Sequence, residues 1–236
     1  MQLGPVRFRV DAKDRAARRA FKHELIVRET DFRWSAEQSG GGIQDLYRAL
    51  ATDEARNRRI IDDILAALQQ GRSPIVLTER KDHLEHLADR LRGLVRHMVM
   101  LKGGASQKER RQSFDQLASV PDAAERLVLA TGRYVGEGFD DARLDTLFLT
   151  MPVSWKGTLI QYAGRLHRHH PGKTEVRIYD YVDQEPMLLR MFQKRLAAYR
   201  AIGYARGEAP LGFGEPPEEL TVEYDEEALR HFESLI

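Results

Sequence analysis

Apolar positions along the chain change period several times, and each change marks an element. Val6-Arg7-Phe8-Arg9-Val10 alternates strictly, as does part of His23-Glu24-Leu25-Ile26-Val27-Arg28. These stretches predict two strands joined by a basic connection, Lys13 to Lys22, with no need to join the main sheet. Residues 38–42 (Gln-Ser-Gly-Gly-Gly) predict a flexible break. Ile43 to Leu50 and Glu54 to Gln70 predict helices, the second with Ile60, Ile61, Ile64, Leu65 and Leu68 on one face. After Gly71 the pattern becomes alternating strand and helix. Pro74 to Thr78 reads as a short buried strand, and Leu84, Leu87, Leu91 and Leu94 stripe the helix that follows. His97 to Leu101 is a further strand. Ser106-Gln-Lys-Glu109 is a capping box opening a helix through Ala118. Strands at 126–130 and 144–150 follow, then a helix from about 155 and a strand from Glu175 to Val182. A last helix at 185–200 is expected to turn Met187, Leu188, Met191, Phe192 and Leu196 inward.

Strands separated by helices imply parallel pairing through right-handed crossovers, an α/β fold. Ligands of such sheets bind outside the carboxyl ends of the strands. The pattern divides the chain into an N-terminal strand pair and linker (1–42), an α/β domain (43–207) and a tail (208–236).

Composition narrows this picture modestly. The chain has 236 residues, 42% hydrophobic and 31% charged, which fits a globular protein. No apolar run approaches the length of a membrane span, and the first ten residues show no signal-peptide core; a cytoplasmic protein with no membrane partner is expected. Cysteine is absent, so disulfides and thiolate metal sites are excluded. The net charge of +1 hides an uneven distribution. Residues 151–207 hold ten Lys/Arg against four Asp/Glu, whereas 208–236 hold nine acids against one arginine. A basic body with an acidic tail is compatible with nucleic-acid binding, and equally with an ordinary solvated surface. The tail is expected to be disordered to Pro217, with a short acidic helix near Tyr224 to Leu235.

Two segments carry candidate chemistry. Gln161-Tyr162-Ala163-Gly164-Arg165-Leu166-His167-Arg168 follows a strand-like run, Thr146 to Thr150. Gln161, Arg165 and Arg168 are spaced i, i+4, i+7, so one helical face carries an amide and two guanidiniums, an array suited to phosphate. Upstream, Ala130-Thr131-Gly132-Arg133-Tyr134-Val135-Gly136-Glu137-Gly138-Phe139-Asp140 follows the buried strand Leu127 to Ala130. Its three glycines permit close backbone approach, and Asp140 offers a carboxylate to a ribose hydroxyl. His167, His169 and His170 do not make a metal site: adjacent imidazoles point to different sides of a helix, and no further ligand completes a set.

The pair of segments resembles motifs V and VI of superfamily 2 helicases. Ala130-Thr131-Gly132 with Gly138-Phe139-Asp140 matches the first, and Gln161-x-x-Gly164-Arg165-x-x-Arg168 the second. The resemblance is to DEAD/DEAH-type enzymes, in particular the branch with XPB-like helicases and the translocating subunits of restriction enzymes. It implies a RecA-like three-layer domain with a parallel sheet, the second of two such domains. There is no G-x-x-x-x-G-K-[ST] and no strand ending in a DEAD-like carboxylate pair. The resemblance therefore implies that ATP and Mg²⁺ are held mainly by an N-terminal RecA-like domain not represented here, which would be a partner within one enzyme. The chain alone is expected to be inactive.

By the resemblance, Arg165 and Arg168 are arginine fingers and Gln161 orients the array, standing where many relatives have a histidine. Gly138, Asp140 and Gly164 would lie against the nucleotide. Thr131, Gly132 and Arg133 would meet a nucleic-acid backbone, with Thr78 and Gly103 as further candidates for that track. DNA is expected over RNA, because the branch is mostly DNA-directed. The alternative reading is a stand-alone nucleic-acid-binding or regulatory module without ATPase activity. A dinucleotide enzyme fits poorly, since the glycines do not form G-x-G-x-x-G and follow a late strand.

Overall fold

A computed structural model describes residues 22–34, 42–132, 139, 141–153 and 156–206. The expected strand at 6–10, the glycine run 38–41, Arg133, Gly138, Asp140 and the acidic tail lie outside the described residues.

The elements run β1 (Lys22–Thr30), α1 (Ile43–Thr52), α2 (Glu54–Gln69), β2 (Pro74–Thr78), α3 (Lys81–Leu91), β3 (Met98–Leu101), α4 (Gln107–Ser119), β4 (Leu127–Thr131), β5 (Thr146–Leu149), α5 (Lys156–Leu166), β6 (Glu175–Asp183), α6 (Pro186–Ala201) and β7 (Ala205–Arg206). One seven-stranded sheet has the order β3-β4-β2-β5-β6-β1-β7, and every pairing in it is parallel.

Alternation along the strands builds three layers. Ile75 and Leu77 of β2, Val128 and Ala130 of β4, and Leu147 and Leu149 of β5 face one side, where Leu117 of α4, Leu159 and Ala163 of α5, and Phe192 and Ala198 of α6 cover them. Val76, Leu129, Phe148 and Tyr179 face the other side, against Ile60 and Ile64 of α2 and Leu84 and Leu87 of α3. Phe148 and Tyr179 are register partners, and their rings stack with centroids 4.4 Å apart. Ser106 and Glu109 form the expected capping box at the start of α4.

Several expectations are corrected. β1, which had no need to join the main sheet, lies inside it, nine residues in register with β6 and flanked by β7. Leu94 falls off the α3 stripe and is 59% exposed, because the helix ends at Leu91 and Gly93 turns the chain at φ +80°. Met187, in the first turn of α6, is also exposed, whereas Leu188, Met191 and Phe192 are buried.

Two buried ion pairs fix the helices around the sheet. The Arg195 guanidinium grips both oxygens of Asp180 at 2.7 and 2.8 Å, and the Tyr199 hydroxyl donates to the same carboxylate at 2.8 Å. This ties α6 to β6 from within the core. On the opposite face the Arg56 Nε donates to Asp183 at 2.8 Å, and the Arg56 guanidinium lies over the Tyr181 ring.

The connection after β2 runs to β3 through α3 on one face, and the connection after β5 runs to β6 through α5 on the other. β2 and β5 are neighbours, so a topological switch point opens at their carboxyl ends.

Candidate functional site

Thr78 ends β2 at this switch point, but its hydroxyl turns inward. It is 1% exposed and lies 3.0 Å from Nδ1 of His83, whose Nε2 reaches Asn57 Oδ1 at 2.9 Å. Burial, with Arg56 nearby, pushes the His83 pKa down to about 3, so the ring is a neutral link in this chain. The side chain of Thr78 is therefore absent from the surface where a nucleic-acid strand could meet it.

Thr131 and Gly103, by contrast, are brought together. The Gly103 amide donates to Thr131 Oγ1 at 2.7 Å, joining the turn after β3 to the end of β4. Gly104, at φ +76°, lets that turn reverse into α4.

Gly132 sits where backbone and side chains converge. A Cβ at this position would lie 2.1 Å from the Tyr162 hydroxyl and 2.4 Å from Glu79 Oε1. Tyr162, on the inward face of α5, donates its hydroxyl to Glu79 Oε1 at 3.3 Å. Crowding by protein pushes the Glu79 carboxyl up, with the Tyr162 bond opposing the shift, and the Tyr162 hydroxyl is raised far above its ordinary value by burial and by that carboxylate. Tyr162 thus pins the middle of α5 to the ends of β2 and β4. Gly132→Ala is expected to lower stability by about 1–3 kcal/mol through overpacking. In urea unfolding, adding Tyr162→Phe should recover part of that loss; unchanged stability in Gly132→Ala would contradict the close approach.

From Tyr162 the helix runs away from the switch point. The Lys173 ammonium donates to the carbonyls of Leu166 and Arg168 at 3.1 and 2.9 Å, and to those of Ala142 and Leu144 at 2.6 and 2.7 Å, just before β5 begins. His167 packs edge-on against His23 at the start of β1, ring centroids 4.9 Å apart. Arg165 and Arg168 therefore lie toward the amino ends of the strands. Thr131 and Gly132 thus stand at the carboxyl end of β4, whereas the arginines stand at the opposite end of the sheet.

What the arginines share is a surface made by the outer face of α5 and the turn after it, since the helix ends at Leu166 and Arg168 lies two residues beyond. Gln161, Gly164, Arg165 and Arg168, with Ile160 and His167, line an open concavity of about 340 Å³. Gln161, Gly164 and Arg168 are exposed and Arg165 is half-buried. A Cβ on Gly164 would meet nothing within 4 Å. Mid-helix glycine costs roughly 1 kcal/mol relative to alanine, and no packing within the described residues requires it. Among those residues no group of three or more His, Asp or Glu could hold a metal ion, and no helix is long and apolar enough to cross a membrane.

Sequence reasoning missed Glu79, Tyr162 and Lys173. Tyr162 left a signal: it falls on the buried face with Leu159, Ala163 and Leu166, and a buried phenol needs a partner.

Comparison with known proteins agrees with this geometry. Residues 56–170 match the helicase conserved C-terminal domain, a span that contains Thr131, Gly132 and the whole of α5. The chain is 27% identical over 156 residues to transcript termination protein A18 of Fowlpox virus, covering 64% of this chain and 33% of that protein. Its fold is similar to that of UvsW from T4 (TM-score 0.60, 17% identity, 79% of this chain and 41% of that one). It is also similar to the C-terminal domain of the DEAD-box protein Dbp5 (TM-score 0.51, 16% identity, 79% and 89%). Residues 56–170 therefore form a helicase conserved C-terminal domain, and the α/β fold is the RecA-like fold of such domains. It matches only about a third of the length of its Fowlpox virus relative.

Proposed function

We propose that this chain is the second motor domain of an ATP-dependent helicase or translocase acting on nucleic acid, with DNA the strand expected from the branch it resembles. The observation that carries the proposal is the outer face of α5 and the turn that follows it: an amide and a guanidinium on the helix and a second guanidinium just beyond its end line one open concavity, beside a glycine that no packing among the described residues needs. Such a face is suited to phosphate oxygens presented by another domain. Charge spreads over those oxygens as a phosphoryl group transfers, and a positioned guanidinium stabilises it.

ATP supplies the phosphoryl group, and Mg²⁺ would be held by carboxylates of a partner ATP-binding domain. In this chain Arg165 and Arg168 would act as the arginine fingers, and Gln161 would orient them. Gly164 would let the partner surface approach, and Gly138 and Asp140 would meet the nucleotide. Thr131, Gly132, Gly103 and Arg133 would follow a nucleic-acid backbone without reading its sequence. Thr78 is left out of this track because its hydroxyl is committed to His83.

Titration of the chain with a fluorescent single-stranded oligonucleotide tests the binding half of the proposal. Of these contacts only Arg133 neutralises a phosphate charge, which predicts roughly a two- to threefold loss of affinity between 50 and 200 mM salt. Matched DNA and RNA strands decide the preference. Absence of binding at 50 mM salt, or binding indifferent to salt, would contradict the assignment.

A further inference from the structure

We propose that Lys173 is a positioning residue that locks the arginine-bearing end of α5 to the segment leading into β5, so that Arg165 and Arg168 are presented in one fixed orientation. The inference rests on the arginine-finger reading above and extends it to a residue outside both helicase-like motifs.

Four backbone carbonyls surround one ammonium. Two belong to the end of α5 and the turn after it, Leu166 and Arg168. The other two, Ala142 and Leu144, belong to the segment that follows the glycine-rich stretch. An ammonium carries three N–H donors, so with four acceptors at 2.6–3.1 Å at least one hydrogen is shared and the donor capacity is saturated. The last carbonyls of a helix lack intrahelical partners and carry the negative end of its dipole. Lys173 supplies both the hydrogen bonds and the charge at that point. Burial pulls the Lys173 pKa down, while Asp145 and Asp141 oppose the shift.

The consequence is mechanical. Arg165 precedes the first of the α5 carbonyls by one residue, and Arg168 carries the second on its own backbone. Tyr162 on Glu79 holds the middle of α5, the Arg195 bond to the Val153 carbonyl lies ahead of its first turn, and His167, bonded to Tyr204 at 3.0 Å and packed on His23, holds the far side of its end. Without Lys173 the last turn would keep its buried Leu166 and the His167 contacts but lose its tie to the segment leading into β5. The guanidiniums would then sample several orientations, which lowers the rate of a step that depends on their aim more than it lowers nucleotide binding.

The test uses this chain joined to its ATP-binding partner domain, with steady-state ATP hydrolysis stimulated by single-stranded DNA. Lys173→Met keeps the stem and removes the donors. The expected result is a kcat lower by tenfold or more, a KM for ATP within about twofold, and faster hydrogen exchange confined to amides near 142–144 and 165–168. Lys173→Arg is the second variant should Lys173→Met fail to fold. Its charge is kept, but a planar fork cannot aim at four carbonyls grouped around one point, so kcat should again fall. Wild-type kcat in either folded variant overturns the inference, as does a loss confined to KM. Arg165→Ala and Arg168→Ala run alongside. If they leave hydrolysis intact, the arginine-finger reading fails; if they abolish it and the Lys173 variants do not, only the positioning role fails.

Discussion

Arg165→Ala, in the chain joined to its ATP-binding domain, is expected to lower kcat for ATP hydrolysis about 10³-fold or more, with little change in KM. The magnitude follows from what the guanidinium would do. A charge delivered to phosphate oxygens only as they become more negative stabilises the transition state and not the bound substrate. Arg165 is half-buried on the outer face of α5, in a helix whose middle is held by Tyr162, so the aim of its stem is set by the fold and not by the ligand. Arg165→Lys should recover only a small part of the loss, because an ammonium is a point charge and cannot span two oxygens as a fork does. The binding of single-stranded DNA should be nearly unchanged in both variants. Hydrolysis indifferent to either substitution would make the α5 face an ordinary basic surface.

Asp180→Ala is expected to destabilise the fold by about 3–5 kcal/mol, read as a shift in the midpoint of urea unfolding. Arg195 and Asp180 are 3% and 1% exposed, and removing the carboxylate strands a guanidinium in the core with the Tyr199 hydroxyl unpaired beside it. The loss comes from that uncompensated charge more than from the pair's own attraction, so replacing Asp180 and Arg195 together by apolar residues of similar volume should cost much less. The substitution should also loosen the entry to α5, since Arg195 Nη1 donates to the Val153 carbonyl just ahead of that helix. A loss below about 1 kcal/mol for Asp180→Ala would show that the site collapses or hydrates more readily than its burial implies.

Strands with a buried, uninterrupted apolar run were legible in the sequence: β2, β4 and β5 stand within one or two residues of where Pro74 to Thr78, Leu127 to Ala130 and Thr146 to Thr150 predict them. The place of β1 was not. A parallel strand's pattern reports how deeply it is buried but not its neighbours, and β1 pairs with residues about 150 positions away. Leu94 continued a helical stripe that one positive-φ glycine ends. In the site, helical spacing places Gln161, Gly164 and Arg165 on the face that lines the concavity, whereas α5 ends at Leu166 and Arg168 reaches the same concavity from the turn beyond it. The position of the face along the sheet needed the carbonyl cage of Lys173, and a lysine in a polar turn reads as solvated surface until its acceptors are seen. Thr78 ended a strand as a backbone contact should, but nothing in the local sequence revealed that His83 takes its hydroxyl.

On the proposed function, this chain would complete an ATP-hydrolysing motor without being one by itself. The measurement that tests it most directly is ATP hydrolysis, with and without single-stranded DNA, by the chain alone and by the chain joined to its ATP-binding domain. No turnover is expected from the chain alone, and DNA-stimulated turnover from the joined form. Substantial turnover by the chain alone, or a joined form as inactive as its parts, would contradict it.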